Sequence, residues 1–240
     1  MTSGIDNLQL EGIEVPPLVR RLAAGRAAEP VWRNEIGGVT FAIGGGAEYV
    51  KYGPPHPEFD PDADFDRLRW VRRYVPAPLP IDDGWDGDFR WSRTAGLSGT
   101  TAVAESWRRR PEVAVPELGR ALRQFHDTVP VADCPWTWSV ADRLAGRDAT
   151  GMGETPELDL VVCHGDACNP NFLLDEVGHC VGYVDLGALG VADRWADLAA
   201  ALLSLGWNFG NGREDVFLAA YDVDRDAGKL DFYTRLWNAG

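Results

Sequence analysis

Lysine is almost missing from this chain: of its 23 basic residues, only Lys51 and Lys229 are lysines. Positive charge is scarce altogether, since 37 acidic residues leave a net charge of −14. That balance argues against a nucleic-acid partner, whose phosphates would go unneutralised, but it suits a small cationic molecule. Cysteine is confined to Cys134, Cys163, Cys168 and Cys180, too sparse for a disulfide scaffold, so a reduced, cytoplasmic setting is expected. No apolar run reaches membrane-spanning length and no charged-then-apolar leader follows Met1, so neither a membrane association nor export is expected. Two phosphate-binding signatures are also missing. Without G-x-x-x-x-G-K-[ST] there is no P-loop, and without G-x-G-x-x-G there is no dinucleotide fingerprint. We find no internal repeat or heptad pattern.

Apolar residues are plentiful by contrast, at 45% with 10 tryptophans, which is ample for a core. At 240 residues the chain suits one catalytic fold of two lobes or one large domain. The most informative stretch is Val161-Val162-Cys163-His164-Gly165-Asp166-Ala167-Cys168-Asn169-Pro170-Asn171, followed by Tyr183-Val184-Asp185-Leu186-Gly187. Leu158 to Cys163, Phe172 to Leu174 and Cys180 to Val184 read as short buried strands, the last two joined by a turn at Asp175 to Gly178. The His164–Asn171 loop then enters a hairpin that ends at Asp185. Asp166, Asn171 and Asp185 converge at one edge: two oxygen ligands for magnesium on ATP, and a carboxylate to take the proton of an attacking hydroxyl.

This spacing, His-Gly-Asp-x4-Asn and then Asp-Leu-Gly after a hairpin, resembles the aminoglycoside phosphotransferases, particularly their 3′ branch; Gly190-Val191-Ala192-Asp193-Arg194 extends the likeness. The resemblance implies an α+β, protein-kinase-like fold. An antiparallel five-stranded sheet lobe, residues 1–94, would end in a hinge, and a mainly helical lobe, 95–240, would carry the catalytic loop and the acceptor site. It implies a monomer or dimer that uses ATP and Mg2+ to phosphorylate a hydroxyl of a small, cationic acceptor, an aminoglycoside first and a less cationic metabolite or antibiotic second. Asp166 would be the catalytic base, Asn171 and Asp185 the metal ligands, and His164 and Asp197 the structural support.

In the first lobe, Val31–Arg33 and Val39–Ile43 read as strands around the turn Asn34 to Gly38, where Gly37 and Gly38 let backbone amides approach a phosphate. Ala47 to Lys51 is an alternating strand. A lysine kept in so arginine-biased a chain suits a compact ammonium that touches two phosphates at once. The resemblance places the phosphate lysine at Lys51 and an adenine-stacking ring at Tyr49. It gives Lys51 a helix carboxylate partner at Asp64, with Asp62 and Asp66 as rivals on the segment Asp62 to Tyr74. Pro76 to Pro80 reads as a connector, Asp82 to Asp88 as a polar turn and Phe89 to Thr94 as a strand, whose Ser92–Thr94 portion is the family's hinge.

Pro116 reads as a first-turn proline before the apolar stripe Leu118, Ala121, Leu122 and Phe125, and His126 as a packed histidine at its end. Asp193 reads as the N-cap of a buried helix from Trp195 to Leu205, with further helices over Arg213–Tyr221 and Leu230–Trp237. Where relatives carry acceptor-binding acids, this chain has Asn169, Ala188, Trp207, Trp237 and Asn238. The carboxylates left to serve are Asp133, Glu154, Glu157, Asp159, Asp193 and the C-terminus at Gly240. Two rival readings are a zinc site among Cys163, His164, Cys168, His179 and Cys180, whose spacing matches no standard knuckle, and a nucleotide-binding pseudokinase, which would need a catalytic residue to be lost.

Overall fold

A computed structural model describes residues 10–144 and 152–239. The chain divides into two compact units. One holds the described residues up to Arg73 together with Ala77–Leu97; the other holds Tyr74–Pro76 and the described residues from Ser98 onward.

The first unit is helix α1 (Pro17–Ala23), strands β1 (Ala28–Arg33), β2 (Val39–Ile43) and β3 (Glu48–Gly53), helix α2 (Pro61–Val71), and strands β4 (Pro80–Asp86) and β5 (Phe89–Ala95). The strands form one antiparallel sheet in the order β1-β2-β3-β5-β4. Strand side chains alternate between faces, and this sheet uses the alternation to separate two jobs. Phe41, Ile43, Val50 and Trp91 turn to one face and pack with Leu18, Val19 and Ala23 of α1. The register pairs Lys51 with Thr40 and Ser92, and Tyr49 with Ala42 and Thr94, so Tyr49, Lys51, Ser92 and Thr94 share the opposite face.

Strand β4 corrects the sequence reading, which took Asp82 to Asp88 for a turn. Its acids are compatible with an edge strand because β5 supplies arginines opposite them. Asp82 holds Arg93 through two bonds of 2.7 and 2.6 Å. Asp83 lies 3.4 Å from Arg90, whose guanidinium also covers the Trp85 ring. Only Asp86 to Phe89 turns. Charged edges of this kind also resist pairing with foreign strands.

The second unit comprises β6 (Thr100–Thr101), α3 (Glu105–Arg108), α4 (Pro111–Thr128), α5 (Val140–Arg143), β7 (Leu160–Cys163), β8 (Phe172–Leu174), β9 (Cys180–Tyr183), β10 (Gly190–Asp193), α6 (Arg194–Phe209), α7 (Glu214–Tyr221) and α8 (Ala227–Ala239). β7 pairs with β10, and β6, β8 and β9 form a second small sheet. Pro116 lies inside α4 rather than in its first turn, because Pro111 opens the helix one turn earlier. Its missing N–H leaves the apolar stripe in register, and Leu118, Ala121, Leu122 and Phe125 are all buried. α6 is sealed almost all round, burying Leu198, Ala199, Ala200, Ala201 and Leu205, as a helix with so few polar positions must. Its Asp193 cap accepts the Trp195 N–H at 2.8 Å. No helix among the described residues is long and apolar enough to cross a membrane.

Candidate active site

The loop from His164 to Asn171 leaves β7 and enters the β8–β9 hairpin. Gly165 has φ +84°, and a Cβ there would strike the Ala188 carbonyl, so the middle residue of His-Gly-Asp has to be glycine. His164 is fully buried among Phe125 and Phe172, with ring centroids at 5.8 and 6.0 Å. Its Nδ1 accepts the Asp166 N–H at 3.3 Å. Trp138 Nε1 donates to the Gly165 carbonyl from the other side.

Two side chains of α6 clamp this loop from beneath. Asp197 accepts the His164 and Gly165 N–H groups at 2.6 and 3.0 Å, and Ser204 Oγ accepts the Asn169 N–H at 2.9 Å. They lie seven residues apart, two turns along the helix and on one face. The support role assigned to Asp197 thus has a geometry, and Ser204 is a partner that the sequence reading missed. Its signal was the i, i+7 spacing on an otherwise apolar helix.

Asn171 Nδ2 donates to both the backbone carbonyl and Oδ2 of Asp166, at 2.9 and 3.0 Å, so its Oδ1 is turned away from that contact. The hairpin ladder ties Val184 N–H to the Asn171 carbonyl at 2.9 Å, which sets Asp185 beside Asn171. Asp185 has φ +61°, a left-handed conformation that a non-glycine residue adopts at some cost and that is common at functional sites. Asp166 Oδ1 is buried with no hydrogen-bond partner. Burial first, and then the charge of Asp185, push the Asp166 carboxyl above its ordinary range; Cys168, His164 and Asn171 pull it back. A magnesium ion fits these donors. It prefers oxygen ligands, and it would offset the repulsion that the Asp185 charge imposes on the Asp166 carboxylate.

Other expected site residues are placed differently. Asp193 is fully buried, accepting the Asp159 N–H and the Lys229 ammonium, each at 2.7 Å, besides its cap bond. It is therefore structural rather than an acceptor contact. The chain's second lysine likewise serves a buried ion pair, so rarity alone did not mark lysine for phosphate. Asn169 is also fully buried, with its Nδ2 on the Ala201 carbonyl, and is equally removed from an acceptor role. The Asp159 carboxylate is held by Arg194 at 2.6 Å. Trp207 is exposed and Trp237 half-buried beneath the Arg143 guanidinium. Glu154 and Glu157 line an open groove of about 580 Å³ with Asp226 and Asp231 of the α8 region. Gly240 lies outside the described residues.

In the sheet unit, Gly37 has φ +87° and the Asn34 side chain accepts the Gly38 N–H, which holds the turn open. Ser92 and Thr94 are interior residues of a strand flanked on both sides by β3 and β4. Their backbone groups are thereby engaged in the sheet, and the chain leaves it at Gly96, whose N–H reaches the Ala47 carbonyl. Of the three helix acids, Asp62 pairs with Arg90 and Asp66 with Arg69, at 3.1 and 3.2 Å. The proposed zinc ligands do not assemble: Cys163 and Cys180 donate to backbone carbonyls, and His179 is exposed. The one buried ligand-like group among the described residues is His126, Cys163 and Asp197, where the Asp197 oxygens are already taken by three N–H donors.

A five-stranded antiparallel sheet unit, and a helical unit whose Asp-x4-Asn loop feeds a hairpin ending in Asp-Leu-Gly, define a kinase-like phosphotransferase. Residues 135–233 match the model of the phosphotransferase enzyme family. The aminoglycoside 3′-phosphotransferase of Streptomyces fradiae is 35% identical over 247 aligned positions, covering 85% of this chain and 91% of that protein. A crystal structure of a type VIII aminoglycoside-3′-phosphotransferase is 25% identical, with a TM-score of 0.74 over 92% of this chain and 97% of that one. A Streptomyces rimosus aminoglycoside phosphotransferase, solved with ADP and streptomycin, is 27% identical, with a TM-score of 0.70 over 90% and 94%. The chain belongs to the aminoglycoside phosphotransferase family and is an enzyme with a protein-kinase-like fold.

Proposed function

We propose that this enzyme transfers the γ-phosphoryl group of magnesium-bound ATP to a hydroxyl of an aminoglycoside or a related, less cationic compound. The observation that carries the reading is the Asp166–Asn171 pair: a half-buried Asp166 whose Oδ2 accepts from Asn171 Nδ2 while its Oδ1 has no hydrogen-bond partner. Asp166 orients the acceptor hydroxyl and takes its proton through Oδ1. Asn171 Oδ1 and the Asp185 carboxylate would hold magnesium, which when bound would supply positive charge against the phosphates. Asp197 and His164 keep the loop in place, so Asp166 is aimed before the substrate arrives.

On the nucleotide side, Lys51 contacts phosphates and is paired with the α2 carboxylate of Asp64. Tyr49 stacks on the base, with Ser92 and Thr94 beside it on the same sheet face, and the Gly37–Gly38 turn covers the phosphates. Aminoglycoside preference rests on the relatives, which are named for such acceptors. Acceptor cations would meet Glu154 and Glu157 and the aromatic surfaces of Trp207 and Trp237. This reading takes the enzyme to be a cytoplasmic monomer or dimer. The test is ADP release from Mg-ATP across aminoglycosides, other antibiotics and amino alcohols. Acceptor-dependent release that Asp166→Ala abolishes supports the reading; release independent of every acceptor overturns it.

A further inference from the structure

Strands β8 and β9 are three and four residues long, a ladder too short to hold its own register firmly. It is also irregular. Leu173 pairs with Gly182 but Leu174 with Cys180, so Val181 is an extra residue bulged from β9. At the bulge the Cys180 N–H donates to Glu117 Oε1 of α4 at 2.8 Å. Glu117 is only 8% exposed and follows the buried Val115 and precedes the buried Leu118. A carboxylate in such a place is costly unless both oxygens are satisfied, and here the second accepts Arg120 Nε at 3.0 Å. One helical turn later the Ala121 carbonyl accepts the Tyr183 O–H at 2.9 Å. Residues 117 and 121 lie on one face of α4, and between them they grip both ends of β9.

Asn171 precedes β8 and Asp185 follows β9, so the register of this hairpin decides whether the two meet. A slip of one residue shifts a strand by ~3.3 Å and turns its side chains to the opposite face. Magnesium takes its ligands at roughly 2.0–2.1 Å in near-ideal octahedral geometry, and no such slip leaves both within reach. The turn alone does not prevent it. Asp175 Oδ1 accepts the Val177, Gly178 and His179 N–H groups, which fixes the tip, but the bulge at Val181 lies between the tip and the ligands. We propose that Glu117 and Tyr183 are positioning residues for the magnesium ligands: they pin the bulged β9 to α4, and the pinned strand sets the register that brings Asp185 beside Asn171. The effect on magnesium rests on the phosphotransfer reading, whereas the effect on hairpin register does not.

The test uses the full chain as Glu117→Leu, Glu117→Gln and Tyr183→Phe. Calorimetry follows ADP binding as magnesium chloride is raised. In Glu117→Leu the magnesium concentration needed should rise about tenfold, as it does when the native register is populated about one time in ten, with ADP affinity in the absence of magnesium unchanged. Glu117→Gln keeps an acceptor for the Cys180 N–H and should stay within about twofold of wild type. Amide exchange at Val184, whose bond to Asn171 exists only in the native register, should quicken about tenfold in Glu117→Leu and return towards wild type in Glu117→Gln. A merely structural role would lower the melting temperature and leave both readings alone. A folded Glu117→Leu with wild-type magnesium dependence and wild-type Val184 exchange would overturn the proposal, as would a Glu117→Gln no better than Glu117→Leu. If Glu117→Leu does not fold, Tyr183→Phe decides by the same two readings, since it deletes the second tether and keeps the ring packed against Phe125 and Phe172. If magnesium leaves ADP binding to the wild-type protein unaltered, the functional reading fails, and Val184 exchange alone then supports or overturns the register role.

Discussion

Asp197→Ala is the substitution whose consequence can be worked most fully from the structure. The carboxylate receives three N–H donors, from His164 at 2.6 Å, Gly165 at 3.0 Å and His126 at 3.0 Å, all of them buried. Alanine leaves three donors with no acceptor in a space that water does not reach. Each unsatisfied buried group costs roughly 1–3 kcal/mol. Relief from holding a buried charge offsets part of that sum, so the net loss should be about 4 kcal/mol. For a chain of this size each kcal/mol corresponds to ~2–4 °C in melting temperature, which places the variant about 8–16 °C below wild type. Asp197→Asn keeps one acceptor but sets an N–H2 against a donor, and should lose about half as much. Urea midpoints and melting temperatures of the three proteins provide the assay. An Asp197→Ala protein within about 1 kcal/mol of wild type would refute the claim that this carboxylate anchors the loop.

Asp166→Asn should raise the melting temperature of the ligand-free protein at neutral pH while turnover falls by roughly 10²–10⁴-fold. The folded pKa of Asp166 lies above its unfolded value, so the native state binds that proton more tightly. Its relative stability therefore rises as pH falls from the raised value towards the ordinary one, and the ionised pair is a net cost above both; a lower melting temperature for Asp166→Asn would contradict this. Lys51→Arg should markedly lower kcat/KM for ATP despite the retained charge, since a planar fork replaces a point donor; activity within about twofold of wild type, a difference below 1 kcal/mol, would exclude the phosphate contact. Because Asp193 and Asp159 are engaged by Lys229 and Arg194, few carboxylates remain for acceptor ammonium groups. Kanamycin-type compounds should thus show a high KM in steady-state assays, and a value near the ~1 μM end of the usual range would count against an acceptor site of few charges.

The placement of the candidate catalytic residues was legible because they sit where local sequence dictates geometry. His164 to Asn171 is bounded by two apolar strands, and a hairpin of fixed length returns the chain to Asp185. Asp193 could be read as a cap for the same reason, since the cap bond closes within two residues. Strand β4 was not legible. Its acids are held by Arg90 and Arg93, and acidic runs favour turns until a partner strand is known. The placements of Asn169 and Asp193 also depended on distant partners, Ala201 and Lys229. A side chain named for an acceptor by its loop position proved to face the core. His126 was read correctly as packed, but its link to the catalytic loop passes through Asp197, 71 positions away, a distance at which sequence carries no periodic signal.

The central claim, that Asp166 directs phosphoryl transfer from ATP to an acceptor hydroxyl, is tested most directly by following the acceptor itself. Aminoglycosides and less cationic amino alcohols would be incubated with Mg-ATP and either wild type or Asp166→Ala, and the products examined by mass spectrometry and phosphorus NMR. The account predicts one phosphate ester on an acceptor hydroxyl with wild type, formed in step with ADP, and essentially none with Asp166→Ala. An ester formed at a comparable rate by the variant, or ADP formed by wild type with no phosphorylated acceptor among the compounds tested, would contradict it.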